Sequence, residues 1–492
     1  MRALQRTADL KNITLTDSLD DNAELIKGIF IKDSILRTRR ITAANGISFC
    51  LFYFDGMVNN EIINESVVRP LIMLSEQTWN DRAAFVSERV LFSGDVKICT
   101  TPDEMISALL YGDALLLIDG TSKALTINTK GWRVRSISEP ENERVLEGPR
   151  EGFGEAAMFN VAMIRRKLLT PDLAVEVTRI GRRTDTYVFI CYLSSLCEEK
   201  TLRLLKDRLS KIDIDGLLDS NYINEHIRDS KTSLFKTTGR TERPDTVAAN
   251  LLEGRIAIVV DGTPTVLTVP YLFSENFQSD EDYYVDYKMA TVGRLLRIIC
   301  FVISISATGV YLALVTFHSG LLPPDFALSV AEARAGVPFS PTTECIALIL
   351  IFEILKEAGL RMSQNVGHAL SIVGGLVVGQ SAVEARLVSA PLLIAVAMSG
   401  IAGLMLPRLR EAVFFYRIVI TVAASFLGLY GVLTVLVVML SHITSLRSFG
   451  IDYTQSLRRI SPESSKDTLT RRPWPFMKTR PDIQTKNRKR QI

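Results

Sequence analysis

Residues 298 to 317, IICFVISISATGVYLALVTF, form a run of 20 residues without a formal charge. At a rise of about 1.5 Å per residue such a run crosses a hydrocarbon layer of roughly 30 Å. This stretch constrains the chain more than any other, because it commits the second half to a membrane. Runs at 366–383, 390–406 and 418–441 are also long and nearly charge-free and give three further expected spans. The composition agrees: a mean hydropathy of +0.19 alongside 23% charged residues requires the apolar content to be concentrated in one region.

The segment 342–360 is harder to assign. Its apolar core, CIALILIF, has Glu344 before it and Glu353, Lys356 and Glu357 after it. These carboxylates are candidate membrane-embedded charges, and the segment reads equally as a re-entrant, protein-shielded or amphipathic interfacial helix. Arg294 and Arg297 precede the first span, so the positive-inside tendency places the N-terminal half in the cytoplasm. Four crossings would return the tail there, leaving Arg408, Arg410 and Arg417 in an external loop. The N-terminus carries no apolar run of signal-peptide type.

Before the membrane region lies a duplication. LLYGDALLLIDGTSKALTI (109–127) aligns without gaps to LLEGRIAIVVDGTPTVLTV (251–269), with 8 identities in 19 positions. Each copy reads as a helix end at Gly112 or Gly254, a strand, an Asp-Gly-Thr turn and a returning strand, and Asp-Gly between apolar runs is a strong hairpin signal. The expected fold is therefore an α/β soluble N-terminal half made of two similar α/β units, followed by an α-helical transmembrane domain. Its divisions are a polar and mainly helical segment 1–44, a first unit 45–137, a linker 138–155, a second unit 156–290, a membrane domain 291–445 and a basic tail 446–492.

Residues 443 to 492 hold 12 Lys/Arg against 4 Asp/Glu, in a chain whose net charge is only +3. A polybasic stretch just after a membrane span suits anionic lipid better than nucleic acid, and Arg471, Arg472, Lys489 and Arg490 are the expected lipid-contacting cations. Within 366–383, Gly367, Ser371, Gly375 and Gly379 recur every fourth residue on one helix face, with His368 and Gln380 beside them. That pattern suits close helix packing or the lining of a pore.

No phosphate-binding loop, dinucleotide fingerprint, paired-histidine motif or nucleophile elbow occurs, and the four histidines are scattered. No catalytic, cofactor-binding or metal-binding residue is expected, and the six cysteines read as reduced thiols.

Several stretches, in order, carry a resemblance: FYFDGMVNNEIINESVVRPL, ALTINTKGW, EGPREGFGE, IGRRTDT, IDIDGLLDSNYI, TERPDTVAANLLEGRIAIVVDGTP, and GVPF with FEILKEAGLR. Over about residues 45 to 475 the chain resembles the A subunits of bacterial spore nutrient-germinant receptors, the GerA family. The resemblance implies a multi-pass protein of the spore inner membrane that acts with a permease-like B subunit and a lipoprotein C subunit to trigger germination. It also implies a homo-oligomer forming a gated ion channel. A close paralogue, the stage V sporulation protein AF, shares nearly all these motifs and implies an auxiliary channel. The other readings are a structural subunit that holds a permease-like partner and a transporter of the nutrient itself.

Overall fold

The computed structural model describes residues 14–76, 81–131, 139–140, 143–361, 379–458, 467–480, 485–487 and 489–490. Its soluble half contains two antiparallel five-stranded sheets. The first orders its strands β1-β2-β4-β5-β3, from β1 (Leu36–Thr42), β2 (Ser48–Phe54), β3 (Val96–Cys99), β4 (Ala114–Ile118) and β5 (Ala124–Ile127). The second repeats that order as β6-β7-β9-β10-β8, from β6 (Leu173–Ile180), β7 (Thr186–Leu193), β8 (Gly239–Thr241), β9 (Ile256–Val260) and β10 (Val266–Val269).

The duplicated sequence occupies equivalent places in the two sheets. Helices Pro102–Leu110 and Pro244–Leu252 each start with proline at the first turn, where its missing N–H costs no hydrogen bond. Each ends at a glycine with positive φ, Gly112 (97°) or Gly254 (91°). The following N–H reaches back five residues, Asp113 to Ala108 at 3.0 Å and Arg255 to Asn250 at 3.1 Å, so both ends are closed in the Schellman manner. The strands then turn at Asp119-Gly120 and Asp261-Gly262, as the Asp-Gly signal predicts.

The units begin earlier than the sequence suggests. Gly120 N–H donates to Asp17 and Gly262 N–H to Glu155, the residues that lead into helices Leu19–Ile29 and Ala157–Lys167. The segment read as a polar N-terminal piece therefore supplies the first helix and the edge strand β1. In the first unit Ser18 caps its own helix by accepting from Asp21 N–H. Ala156, at the same place in the second, has no side-chain acceptor, and Asp261 Oδ1 accepts from Ala157 N–H at 2.9 Å instead. Asp261→Ala should therefore cost about 1 kcal/mol in thermal denaturation, and Asp119→Ala clearly less.

The two units are fused by one apolar core. Phe52, Phe54, Leu115 and Leu117 of the first sheet share it with Val175, Phe189, Cys191 and Val259 of the second. Residues 32 to 34 extend the edge of β6, with Ser34 N–H donating to Val175 O at 2.8 Å and Val175 N–H to Lys32 O at 3.0 Å. Beside this junction Arg165 and Asp33 form an ion pair whose side chains are 0% and 2% exposed. The Arg165 guanidinium lies 4.2 Å from the centroid of Phe54.

The helical half contains α1 (Tyr287–Thr316), α2 (Pro341–Arg361), α3 (Ala390–Leu404) and α4 (Arg410–Ser445). Among the described residues, α1 and the 407–445 stretch are long and apolar enough to cross a membrane, and α3 is a shorter apolar helix. The 407–445 stretch, however, is no straight rod. The Phe235 ring of the second unit lies 5.7 Å from Tyr416 and 6.1 Å from His442, whereas a straight helix would set those two residues roughly 39 Å apart. The chain reverses at Gly428, whose φ of 60° and ψ of −140° are open only to glycine. Gly431 then closes on the Ala423 carbonyl, leaving no room for a side chain. The expected single span 418–441 is thus corrected to a helical hairpin, with an outgoing arm 410–427 and a returning arm 429–445.

The ends of the bundle are fixed by contacts. At the end near the soluble half, Arg297 donates to Asp282 and Phe277 O; at the far end, Phe317 and His318 close on Gly428. The segment 342–360 runs between these ends. Glu344 meets Ser389 at the start of α3, while Glu357 pairs with Arg410 next to the soluble half. Some of its charges pair within the helix, Glu353 with Lys356 and Glu357 with Arg361, and others across helices, Glu344 with Arg334 and Glu357 with Arg410. Arg408 also sits at the near end, donating to Glu275 O at 3.2 Å, which removes it and Arg410 from the expected external loop. The tail returns to this same end, where Ser448 and Phe449 bond Thr237 O and Asp229.

Candidate functional site at the bundle interior and its junction

Polar groups occur at three depths between α1, α2, α3 and the outgoing arm of α4. At the far end Glu344, 1% exposed, accepts from Ser389 N–H at 3.2 Å and from Ser389 Oγ at 3.3 Å and pairs with Arg334 at 3.4 Å. Midway, Arg417 is buried and donates to Ser304 O at 2.9 Å and Ser399 O at 3.0 Å. Ser399 Oγ donates to the same Ser304 carbonyl at 2.8 Å, and the Thr308 and Thr421 hydroxyls meet at 3.1 Å. Near the soluble half, Glu353 pairs with Lys356 at 2.5 Å, and Glu357 with Arg410 at 2.5 Å. Close approaches make room for this interior: Gly309 lies on Ile420, and Gly400 lies on the Phe352 ring.

At the junction, charge pairing joins four sequence-distant pieces. Arg294, fully buried at the start of α1, donates to Asp282 at 3.0 Å and to Asp467 of the tail at 3.0 Å. Arg255 pairs with the buried Glu275, and Arg408 lies 3.5 Å from both Glu143 and Asp280. Burial raises the carboxyls of Glu143 and Glu275 above the usual range, against the pull of Arg408 and Arg255. A cavity of about 1390 Å³ opens among these groups, walled by Arg240, Arg255, Tyr283, Arg408, Trp474 and Arg490. Its mixture of guanidinium groups and aromatic rings suits a polar or anionic guest.

Asp467 gives the junction a pH dependence. Burial pushes its carboxyl up to about 6, against the opposing charge of Arg294. A carboxyl raised in the folded state binds its proton there while the unfolded chain has already lost it. Stability from this group is therefore present near pH 4, declines as pH rises to about 6, and is flat above that. Protease susceptibility of the tail should rise over that interval, and Asp467→Asn should abolish the dependence.

Of the residues singled out from sequence, Gly367, His368, Ser371 and Gly375 lie outside the described residues. Gly379 opens the short helix Gly379–Glu384 beside Leu393, and Gln380 donates to Glu384 at 2.8 Å on an exposed face. Glu344 is buried in the polar interior and Glu353 half-buried at its near end, whereas Glu357 lies more exposed at that end of α2 beside Arg410. The tail cations divide. Arg471 is buried, donating to Val285 O at 2.8 Å and Tyr283 O at 3.3 Å, and Arg490 pairs with Glu253 at 2.9 Å, so both are ties within the protein. Arg472 and Lys489 are exposed. Sequence reasoning missed Arg417, whose signal was a lone arginine abutting an apolar run. It also missed Asp467 and Phe235, which carry no local signal.

A duplicated α/β half is tied by buried charges to a helical region in which two stretches are long and apolar enough to cross a membrane. The profile of the family described as "Bacillus/Clostridium GerA spore germination protein" matches residues 23–483, and the chain belongs to that family. It is 41% identical over 460 residues to spore germination protein KA of Bacillus subtilis, covering 93% of this chain and 84% of the relative. To the uncharacterized membrane protein YfkQ of the same organism it is 35% identical over 484 residues, covering 98% and 94%. The crystal structure of the N-terminal domain of the A subunit of the Bacillus megaterium spore germinant receptor GerK3 is 34% identical, with a TM-score of 0.43, over 53% of this chain and 98% of that one.

Proposed function

We propose that this chain is the A subunit of a spore nutrient-germinant receptor, lying in the spore inner membrane with a permease-like B subunit and a lipoprotein C subunit. In this reading several copies surround a gated ion path, and the soluble half and the tail share the cytoplasmic side. The observation that carries it is the succession of polar groups through the bundle, from the buried Glu344 through the buried Arg417 to the half-buried Glu353. Ionisable side chains at membrane depth are costly and persist where they face protein or a water path. A bundle needing only to anchor a partner would pack more cheaply with apolar residues.

Lipid contact falls to the exposed Arg472 and Lys489, beside the exposed rings of Trp474 and Phe476. Ion efflux from vesicles tests the proposal. Full-length chain reconstituted alone should release trapped monovalent ions, and added B and C subunits should make the release depend on nutrient. Vesicles that stay tight in both conditions, while the protein is folded and inserted, would reduce the chain to a scaffold.

A further inference from the structure

The loop from Asp229 to Thr238 leaves the second soluble unit and enters the near end of the bundle. Its Phe235 is 2% exposed. The ring stands 5.7 Å from Tyr416 on the outgoing arm of α4, 6.1 Å from His442 on the returning arm and 6.1 Å from Phe273. The same loop grips each arm by a polar contact. Lys236 Nζ lies 3.4 Å from Glu411 on the outgoing arm, and Ser233 Oγ lies 3.0 Å from His442 Nε2 on the returning one. Ser233 Oγ also accepts from Phe235 N–H at 3.2 Å, which fixes the ring relative to the grip.

Past Phe235 the loop becomes β8 with no slack. Thr237 O accepts from Ser448 Oγ at 2.7 Å, and Gly239–Thr241 pair with Val266–Thr268. Gly239, Arg240 and Thr241 are also wall residues of the junction cavity. One short stretch of chain therefore touches the cavity at one end and both arms of the hairpin at the other. The arms are joined at the far end through Gly428, with Gly431 packed on the Ala423 carbonyl, so the thickness of what lies between them at the near end sets their angle.

We propose that Phe235 is a wedge that sets the separation of the two arms of α4, and that a shift of β8 caused by an occupant of the junction cavity reaches the Gly428 hairpin through this ring. The wedge stands on the ring geometry alone; only its use in gating rests on the proposed receptor function, so the test reads arm separation and not ion flow.

The test uses full-length protein in lipid nanodiscs, with Cys300, the one cysteine that is not buried, replaced by serine. Spin labels are placed at the exposed positions Phe415 and Leu440, one on each arm near the soluble half. Phe235→Trp should lengthen the distance between the labels by several ångström, and Phe235→Ala should shorten it. Leu234→Ala, on the exposed neighbour, should leave it unchanged. If Phe235→Ala fails to fold, Phe235→Leu takes its place as the smaller wedge. Distances that stay at the wild-type value in the large and small variants, or move in the same direction in both, overturn the proposal whether or not the protein conducts ions.

Discussion

Asp33→Ala should lower the stability of the soluble half by about 3–5 kcal/mol, because it leaves the Arg165 guanidinium charged, fully buried and unpaired. Burial raises the Asp33 carboxyl and lowers the Arg165 guanidinium from their ordinary values, so for each partner desolvation outweighs the mutual attraction. A pair in that condition is costly to break and cheap to replace. The double variant Asp33→Leu with Arg165→Met should therefore lose less than either single change, since it removes both charges and fills the space with apolar atoms. Chemical denaturation of the full chain followed by circular dichroism reads the difference. Additive losses in the double variant would show that the two charges act independently.

The second large effect is expected at Gly428. A side chain there meets a φ of 60° and a ψ of −140°, a combination that costs other residues about 1–3 kcal/mol. Its Cβ would also lie 2.7 Å from His318 Cε1 and 3.1 Å from Phe317 Cβ. Gly428→Leu should keep the returning arm from closing on α1, so that His442 loses Ser233 and the 447–453 segment loses its seat on the second unit. The expected readout is a chain that inserts but whose tail is cut readily by protease. Gly46 is the control, with a similar φ of 84° and nothing within 4 Å of its Cβ position, so Gly46→Ala should cost only the backbone strain. An intact, protected tail in Gly428→Leu would mean that the hairpin tolerates another conformation.

The duplication was legible because its signals are local: an Asp-Gly turn between apolar runs and a glycine after each helix need no distant partner. The long apolar helix Tyr287–Thr316 was legible for the same reason. The strand β1 was not, because LRTRRIT lies at a sheet edge with its basic residues in solvent, and only Ile41 is buried; such a strand looks like a charged surface helix. The hairpin at Gly428 was hidden because glycine is common in membrane helices and the apolar run continues on both sides of it. The partner of Glu357 across the bundle, Arg410, was not legible because it is distant in sequence. The tail looked free for a similar reason, since Asp467 and Arg490 find Arg294 and Glu253 only through the tertiary fold.

Of the candidate site, Glu344 and Glu353 stand out in the sequence as charges flanking an apolar core, while Glu357, singled out with them, is the most exposed of the three. Arg417 was not legible, because an arginine next to a span reads as a boundary marker. Its role appears only when the carbonyls of Ser304 and Ser399 are brought to it from two other helices.

Single-channel recording of the full-length chain in planar bilayers tests the central claim, that ions pass along the polar interior of the bundle. The account predicts discrete openings whose reversal potential under a salt gradient shifts when Arg417→Gln removes the charge midway along the path and returns toward the original value in Arg417→Lys. Openings with the same selectivity in all three proteins, or no openings from protein shown to be folded and inserted, would contradict it.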